Sequence, residues 1–255
     1  MTIKQLEFPS VRHLVSDEEW KLRVDLAAAY RLVSLYGWED TIFTHLTARV
    51  PGTDHFLINP YGVMFDEITA SSLVKVNLAG EKVMESDYDI IPAGFLIHST
   101  VHAARPDAHF VMHLHTINGI AVSAQKCGLL PISQQAFAIM TSLGYHDYEG
   151  IALSDAERVT LTRDLGNNQY LMLRNHGLLT TGRSAADAFL AMYKFEVACM
   201  IQVRAQAGGE LVMIPDELLA QAPEQFAAGR RGRGPEVVWE PLMRRVARRS
   251  PGFDQ

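Results

Sequence analysis

Cysteine is scarce: the 255 residues hold two, Cys127 and Cys199, far apart and in segments that read as buried. That excludes a disulfide framework and a cysteine-based zinc site. Apolar runs are short. None approaches the roughly 18 unbroken residues that span a bilayer, and no charged stretch followed by an apolar run opens the sequence. The expectation is a cytoplasmic protein with no membrane partner. Positive charge is not in excess either: the net charge is −6, which leaves no global footprint for nucleic acid or anionic lipid. Seven arginines between Arg230 and Arg249 read as a solvated or subunit-facing segment. A P-loop and a Gly-x-Ser-x-Gly elbow are both missing, and Gly229-Arg-Arg-Gly-Arg-Gly234 follows no strand, so neither nucleotide binding nor serine-hydrolase chemistry has a signal. Lysine is limited to six residues, none marked as desolvated for Schiff-base chemistry.

What is present is a hydrophobic content of 48%, enough for a sizeable core. Ser16-Asp-Glu-Glu19 has the form of a capping box, and Leu22, Leu26, Ala29, Tyr30 and Val33 follow at helical spacing until Gly37. Short β-rich runs at 43–50, 55–59 and 73–77, separated by Pro, Gly and Asp, predict a meander of strands. Residues 93–104 read as a helix stopped before Arg105-Pro106, because the residue preceding proline is pushed out of the α region. Further helices are expected at about 117–126, at Ser154–Leu165 with Ser154 and Glu157 as a second capping box, and at Ser184–Ala207, with a strand at Tyr170–Arg174. Helices alternating with short strands imply a helix-covered sheet. Residues 10–207 carry no linker composition and read as one domain, with 208–255 as a C-terminal extension holding a helix near 215–228.

Histidine supplies the chemistry. His113 and His115 lie two apart at the end of the run Phe110–Thr116, and His176 follows another strand in Leu173-Arg-Asn-His-Gly-Leu178. Side chains alternate faces along a strand, so His113 and His115 can converge on one ion while Met112 and Leu114 face the core. Three imidazoles without cysteine match catalytic zinc sites, which keep a position open for water or substrate. The competing reading is of strand histidines satisfied by backbone partners. His98 and His102, at i and i+4 on a helix, read as packing residues because the ligand set is complete without them.

Taken together, Gly94-Phe-Leu-Ile-His98, His102-Ala-Ala-Arg-Pro-Asp107, Val111-Met-His-Leu-His-Thr116 and Asn175-His-Gly-Leu-Leu-Thr-Thr-Gly182 resemble the class II aldolase/adducin family, over roughly residues 15–207. Tyr36-Gly-Trp-Glu-Asp40, Ile58-Asn-Pro-Tyr-Gly62 and Glu240-Pro-Leu-Met-Arg244 add to the likeness, the last to bacterial adducin-like members. The resemblance implies a three-layer α/β/α domain around a mostly antiparallel sheet, and a homotetramer with sites between subunits. It also implies a divalent metal held by His113, His115 and His176: zinc first, with Fe(II) or Mn as alternatives. In family aldolases that metal chelates substrate oxygens and stabilises the enediolate formed when a carbon–carbon bond breaks, which is Lewis-acid catalysis.

Departures from the pattern narrow the substrate. Sugar-phosphate aldolases of the family carry an acid/base glutamate in a Ser-Ser-Glu segment that here falls on Pro92-Ala-Gly94, and Thr44-His45 stands where they have Gly-Asn. A phosphorylated ketose is therefore disfavoured. A metal alone still stabilises an enolate, and decarboxylation needs no prior proton abstraction. His45 is a candidate replacement acid/base, since imidazole titrates near neutral pH; Tyr148 and Glu149 are further candidates. Asn59 and Gly62 fall where family members bind phosphate, so that turn is a candidate for a substrate carboxylate, against a plain β-turn with Pro60 fixing φ. The expectation is a lyase, of aldolase or decarboxylase type, acting on a small oxo/hydroxy acid or sugar-like substrate. An iron oxygenase on the same three histidines is one alternative, and a non-catalytic adducin-like binding domain is another.

Overall fold

The computed structural model describes residues 6–151, 155–229 and 234–255. Among them, seven strands form one mixed sheet: β1 (His45–Arg49), β2 (Phe56–Ile58), β3 (Val74–Val76), β4 (Phe110–Leu114), β5 (Leu143–His146), β6 (Tyr170–Leu173) and β7 (Gly177–Gly182). Their order is β3-β2-β1-β4-β7-β6-β5. Every pairing is antiparallel except β5 with β6. That parallel pair is joined through a helix, α5, because parallel neighbours need a crossover. The helices are α1 (Asp17–Leu35), α2 (Pro92–Ala104), α3 (Ile117–Ser123), α4 (Gln134–Ile139), α5 (Asp155–Leu165), α6 (Ala185–Gln206), α7 (Asp216–Ala220), α8 (Ala222–Gly229) and α9 (Glu236–Arg249). The three-layer α/β/α architecture with a mostly antiparallel sheet is the one the family resemblance implies.

Alternation along the strands divides the interior. Leu46, Ala48, Phe110, Met112, Leu114 and Leu178 face the larger core with residues of α1 and α6. Val111, Leu171, Leu173 and Leu179 face the other side, against Ile97 and Val101 of α2 and Leu161 and Leu165 of α5. His45, Thr47 and His113 share parity with Val111 and lie on this second side. Cross-strand register places His45 opposite His113 and Thr47 opposite Val111.

Several local expectations are corrected. At the start of α1, Ser16 Oγ accepts from the Glu19 N–H at 3.1 Å, but Glu19 does not return the bond. Its carboxylate is taken by Arg23 at 3.0 Å and Lys75 at 2.7 Å, so a buried ion-pair network replaces half of the capping box. The second box involves Ser154, which lies outside the described residues. The helix expected to reach residue 126 ends at Ser123, and Cys127 is exposed in the following turn rather than buried. The helix expected near 215–228 is two, α7 and α8, divided ahead of Pro223.

Strands β5 and β7 and the helices α4 and α9 lie outside the sequence expectations. Pro241 and the arginine-rich composition obscure α9, yet Trp239, Leu242, Met243 and Val246 follow at i, i+3, i+4 and i+7 and pack into the larger core. Trp239 Nε1 donates to Asp25 at 3.1 Å, and the chain end returns to pair with residues 70 and 71 through the Phe253 and Gln255 carbonyls. Arg244, Arg245, Arg248 and Arg249 are exposed on the opposite face, while Arg230, Arg231 and Arg233 lie outside the described residues. No helix among the described residues is long and apolar enough to cross a membrane.

Candidate metal centre

His113 is the penultimate residue of β4 and is fully buried, and His115 follows just beyond the strand end. His176 sits in the tight connection from β6 to β7, where Leu173 pairs with Gly177. That connection has a residue-specific cause. Asn175 adopts φ of 56°, a left-handed conformation that asparagine tolerates better than most residues. Gly177 comes so close to β4 that a Cβ there would lie 2.5 Å from the Leu114 carbonyl oxygen. Asn-His-Gly is thus what brings the third imidazole against the first two.

The three Nε2 atoms face each other. His113 Nε2 lies 3.1 Å from His115 Nε2 and 3.3 Å from His176 Nε2, and ligand atoms of all three lie within 4.8 Å of one another. Two of the tautomers are fixed from behind. His113 Nδ1 is 3.1 Å from the Leu178 carbonyl oxygen, which can only accept. His115 Nδ1 is 2.9 Å from Asp40 Oδ2. Both rings therefore carry their proton on Nδ1 and present bare Nε2 lone pairs to each other, an arrangement that repels unless a cation lies between them.

A proton is a poor candidate for that cation. Burial, reinforced by His176, His115, His45 and His98, holds His113 well below the ordinary imidazole pKa. Burial, with His115 and His146, lowers His176 to about 4. A divalent metal fits the donors: zinc–nitrogen bonds of about 2.0–2.1 Å in a tetrahedron put neighbouring nitrogens about 3.3–3.4 Å apart, close to the 3.1 and 3.3 Å that separate His113 Nε2 from the other two. The backbone carbonyl and the carboxylate behind the rings are the outer partners that orient metal-binding histidines.

A cavity of about 320 Å³ opens over this cluster, lined by His45, Asp40, Phe43, Tyr148 and Ile151 among others, and it is large enough for a small ligand. His45 is 3% exposed and neither ring nitrogen has a hydrogen-bond partner. Its ring centroid is 6.0 Å from that of His113. Burial, together with His98, His115 and His176, pushes its pKa well down, so the ring is a neutral imidazole. Room for it comes from Gly94, where a Cβ would meet the ring 2.3 Å from Cδ2. The segment that carries the glutamate in sugar-phosphate aldolases here makes space for a histidine instead.

The remaining sequence candidates divide. Tyr148 lines the cavity, 56% exposed, with its ring 6.4 Å from that of His176. Glu149, next to it, is exposed and does not line the cavity. Asn59 and Gly62 are not brought to the cavity. Asn59 is buried, its carboxamide oxygen 2.8 Å from the Tyr30 hydroxyl, which also accepts the Leu46 N–H at 2.8 Å. Sequence reasoning missed Asp40 and Gly94, whose signals are a carboxylate just after an aromatic pair and a glycine inside a helix start.

The profile of the class II aldolase and adducin N-terminal domain matches residues 24–203. A Pseudomonas aeruginosa protein named for class 2 aldolases is 54% identical over 249 residues, covering 96% of each chain. Mouse alpha-adducin is 47% identical over 219 residues, covering 84% of this chain and 29% of its own length. Among solved structures, an aldolase II superfamily protein from Pseudomonas syringae superposes with a TM-score of 0.90 at 50% identity, covering 97% of this chain and all of that one. An L-fuculose 1-phosphate aldolase from Glaciozyma antarctica does so with 0.79 at 27% identity, covering 96% and 94%.

Proposed function

The chain belongs to the class II aldolase and adducin family, and from that premise we propose that it is a divalent-metal-dependent carbon–carbon lyase, of aldolase or decarboxylase type, acting on a small oxo or hydroxy acid. The observation that carries this reading is the meeting of three imidazole nitrogens, two with lone pairs turned inward by Leu178 and Asp40. His113, His115 and His176 hold the ion, zinc first and Fe(II) or Mn as alternatives. When bound, it supplies positive charge where negative charge develops on substrate oxygen as the bond breaks. His45, a neutral imidazole at the cavity wall, serves as the acid/base in retro-aldol cleavage: a bare ring nitrogen takes the hydroxyl proton and gives it back to the carbon of the enolate left behind, whereas after decarboxylation the proton that reaches carbon is drawn from solvent. Tyr148, at the mouth, is the next candidate, with Glu149 beside it.

The lining argues for a substrate without phosphate. Phe43, Ile91, Ile97 and Ile151 are apolar and Asp40 is acidic, surroundings that oppose a phosphate dianion but tolerate a small acid bound through the metal. The Asn59 carboxamide oxygen is engaged by Tyr30 and its side chain is buried, so Asn59 itself does not reach a substrate in the cavity. Phe43, Tyr148 and Ile151 are exposed apolar groups around the mouth (47%, 56% and 73%), which supports a homo-oligomer, a tetramer by family likeness, with the site at a subunit boundary.

Two other readings have a specific support. Three neutral imidazoles also suit an Fe(II) oxygenase, and the 47% identity to alpha-adducin keeps a non-catalytic binding domain in view. The test is a panel of small 2-oxo and hydroxy acids followed for carbon–carbon cleavage and CO2 release, with and without chelator and with and without oxygen. The lyase reading expects chelator-sensitive, oxygen-independent turnover. Oxygen-dependent turnover would select the oxygenase. Equal turnover in fully demetallated protein would contradict both, and silence across the panel in metal-loaded protein would favour the binding domain.

A further inference from the structure

A second group of histidines lies behind His45 on the same side of the sheet. His98 and His102, one turn apart on α2, are 0% and 1% exposed and both reach Thr47 of β1. Thr47 Oγ1 is 2.6 Å from His98 Nδ1 and 2.8 Å from His102 Nε2. His102 Nδ1 lies 3.1 Å from the Ala108 carbonyl oxygen. Burial lowers the His102 pKa to about 3 and holds His98 well below its ordinary value, so both rings are neutral.

Those contacts leave one consistent placement of protons. A carbonyl oxygen only accepts, so His102 carries its proton on Nδ1 and its Nε2 is a lone pair. The Thr47 hydroxyl must then donate to His102 Nε2. Having spent its proton, the same oxygen accepts from His98, which therefore carries its proton on Nδ1. His98 Nε2 is left as a lone pair, fully buried and without a partner. The nearest ring to share that orphan is His45, which stands edge-to-face at 5.6 Å between centroids and has two unpartnered nitrogens of its own. His45 and Thr47 leave β1 on the same face, so one strand positions both ends of the contact.

We propose that Ala108, His102, Thr47 and His98 form a directed hydrogen-bond chain that presents an unprotonated His98 Nε2 to the His45 imidazole and so fixes which His45 nitrogen carries the proton. His98 is a positioning residue: it holds the proton of His45 on the nitrogen that faces α2, directly or across one water, and leaves the other nitrogen bare toward the cavity. The direction of the chain is set by the Ala108 carbonyl, three links away. Its catalytic consequence rests on the reading of His45 as acid/base, but the proton placement does not.

The test uses zinc-loaded, full-length protein with 15N-labelled histidine, reading ring nitrogens by multiple-bond 15N–1H or solid-state NMR. His98 and His102 are expected to be protonated at Nδ1, the less populated form of a free imidazole, with His45 in a single tautomer. Thr47→Val, which keeps the shape and removes the hydroxyl, should move the His98 proton to Nε2 and leave His45 a mixture; Thr47→Ser should restore both. With a substrate in hand, Thr47→Val should lower kcat about tenfold at nearly constant KM, and Thr47→Ser should recover it. A His98 protonated at Nε2 in the unmodified protein, or a His45 tautomer indifferent to Thr47→Val, overturns the proposal, and the first of these needs no variant to fold. Tautomers as expected with kcat unchanged would uphold the chain and remove His45 from the acid/base role instead.

Discussion

Two histidine clusters occupy the same side of one sheet, and they differ in what their nitrogens meet. In the inner cluster every proton between Ala108 and His98 has an acceptor, and the rings are held by ordinary hydrogen bonds. In the outer cluster, His113, His115 and His176 turn nitrogens toward one another, His113 at 3.1 and 3.3 Å from the other two, while a carbonyl and a carboxylate take the opposite edges of His113 and His115. Residue type is shared, and His113 is as buried as His98 and His102. What separates a packing histidine from a candidate ligand is therefore where the second nitrogen is anchored, a distinction that single positions in the sequence do not carry.

Acid should strike both clusters, with the largest effect. The buried rings have folded-state pKa values below the ordinary imidazole value, His102 about 3 and His176 about 4, so the unfolded chain binds more protons below pH 6.5. Stability of chelated protein is expected to be full above about pH 6.5 and to fall as pH drops toward 4, by up to about 1.4 kcal/mol per pH unit for each such ring. Urea unfolding from pH 7.5 to 4.5 measures it. A flat profile would mean that these rings are protonated, or exposed, in the folded protein.

Gly94→Ala acts where the two clusters touch. The added methyl meets the His45 ring at 2.3 Å, and displacing that ring should cost about 1–3 kcal/mol, the usual range for overpacking. Metal stoichiometry should be kept because the three proposed ligands are untouched. An unchanged Tm would show that His45 is not confined as described. Asp40→Asn should have the smallest effect on the fold, within about 0.5 kcal/mol for a half-exposed side chain. It should nevertheless weaken zinc binding about 10–100-fold, as loss of an outer partner does. Competition against a chromogenic chelator reads the difference, and unaltered affinity would remove Asp40 from the site.

Much of this contrast is legible in the sequence. His113 and His115 follow from strand alternation, and His176 from its place beyond a strand and from the Asn-His-Gly motif of the family resemblance; the left-handed Asn175 and the close approach of Gly177 that explain the motif are seen only in the fold. The helices α1, α2, α5 and α6 and the strands β1 to β4 and β6 are legible from caps, breakers and apolar runs, whereas the three-layer class is what the family resemblance implies. Asp40 was not legible, because it meets His115 across 75 positions with no shared periodicity. Neither was α9, where Pro241 and the arginines outweighed a clear apolar stripe. Strand β7 was hidden because Gly177–Gly182 is buried throughout, so it lacks the polar alternation that marks a half-exposed strand. Asn59 shows the opposite failure: its position in a turn suggested an open polar group, whereas Tyr30, far back on α1, holds it in the interior.

The most direct measurement is the metal content of protein purified without added zinc and then dialysed against a limiting mixture of zinc, iron and manganese salts. The account predicts about one equivalent of a divalent ion per chain in the unmodified protein and in Thr47→Val, and less than about a tenth of that in His113→Ala and in His176→Ala, given the loss of one of three ligands. Full metal content in both alanine variants would contradict it.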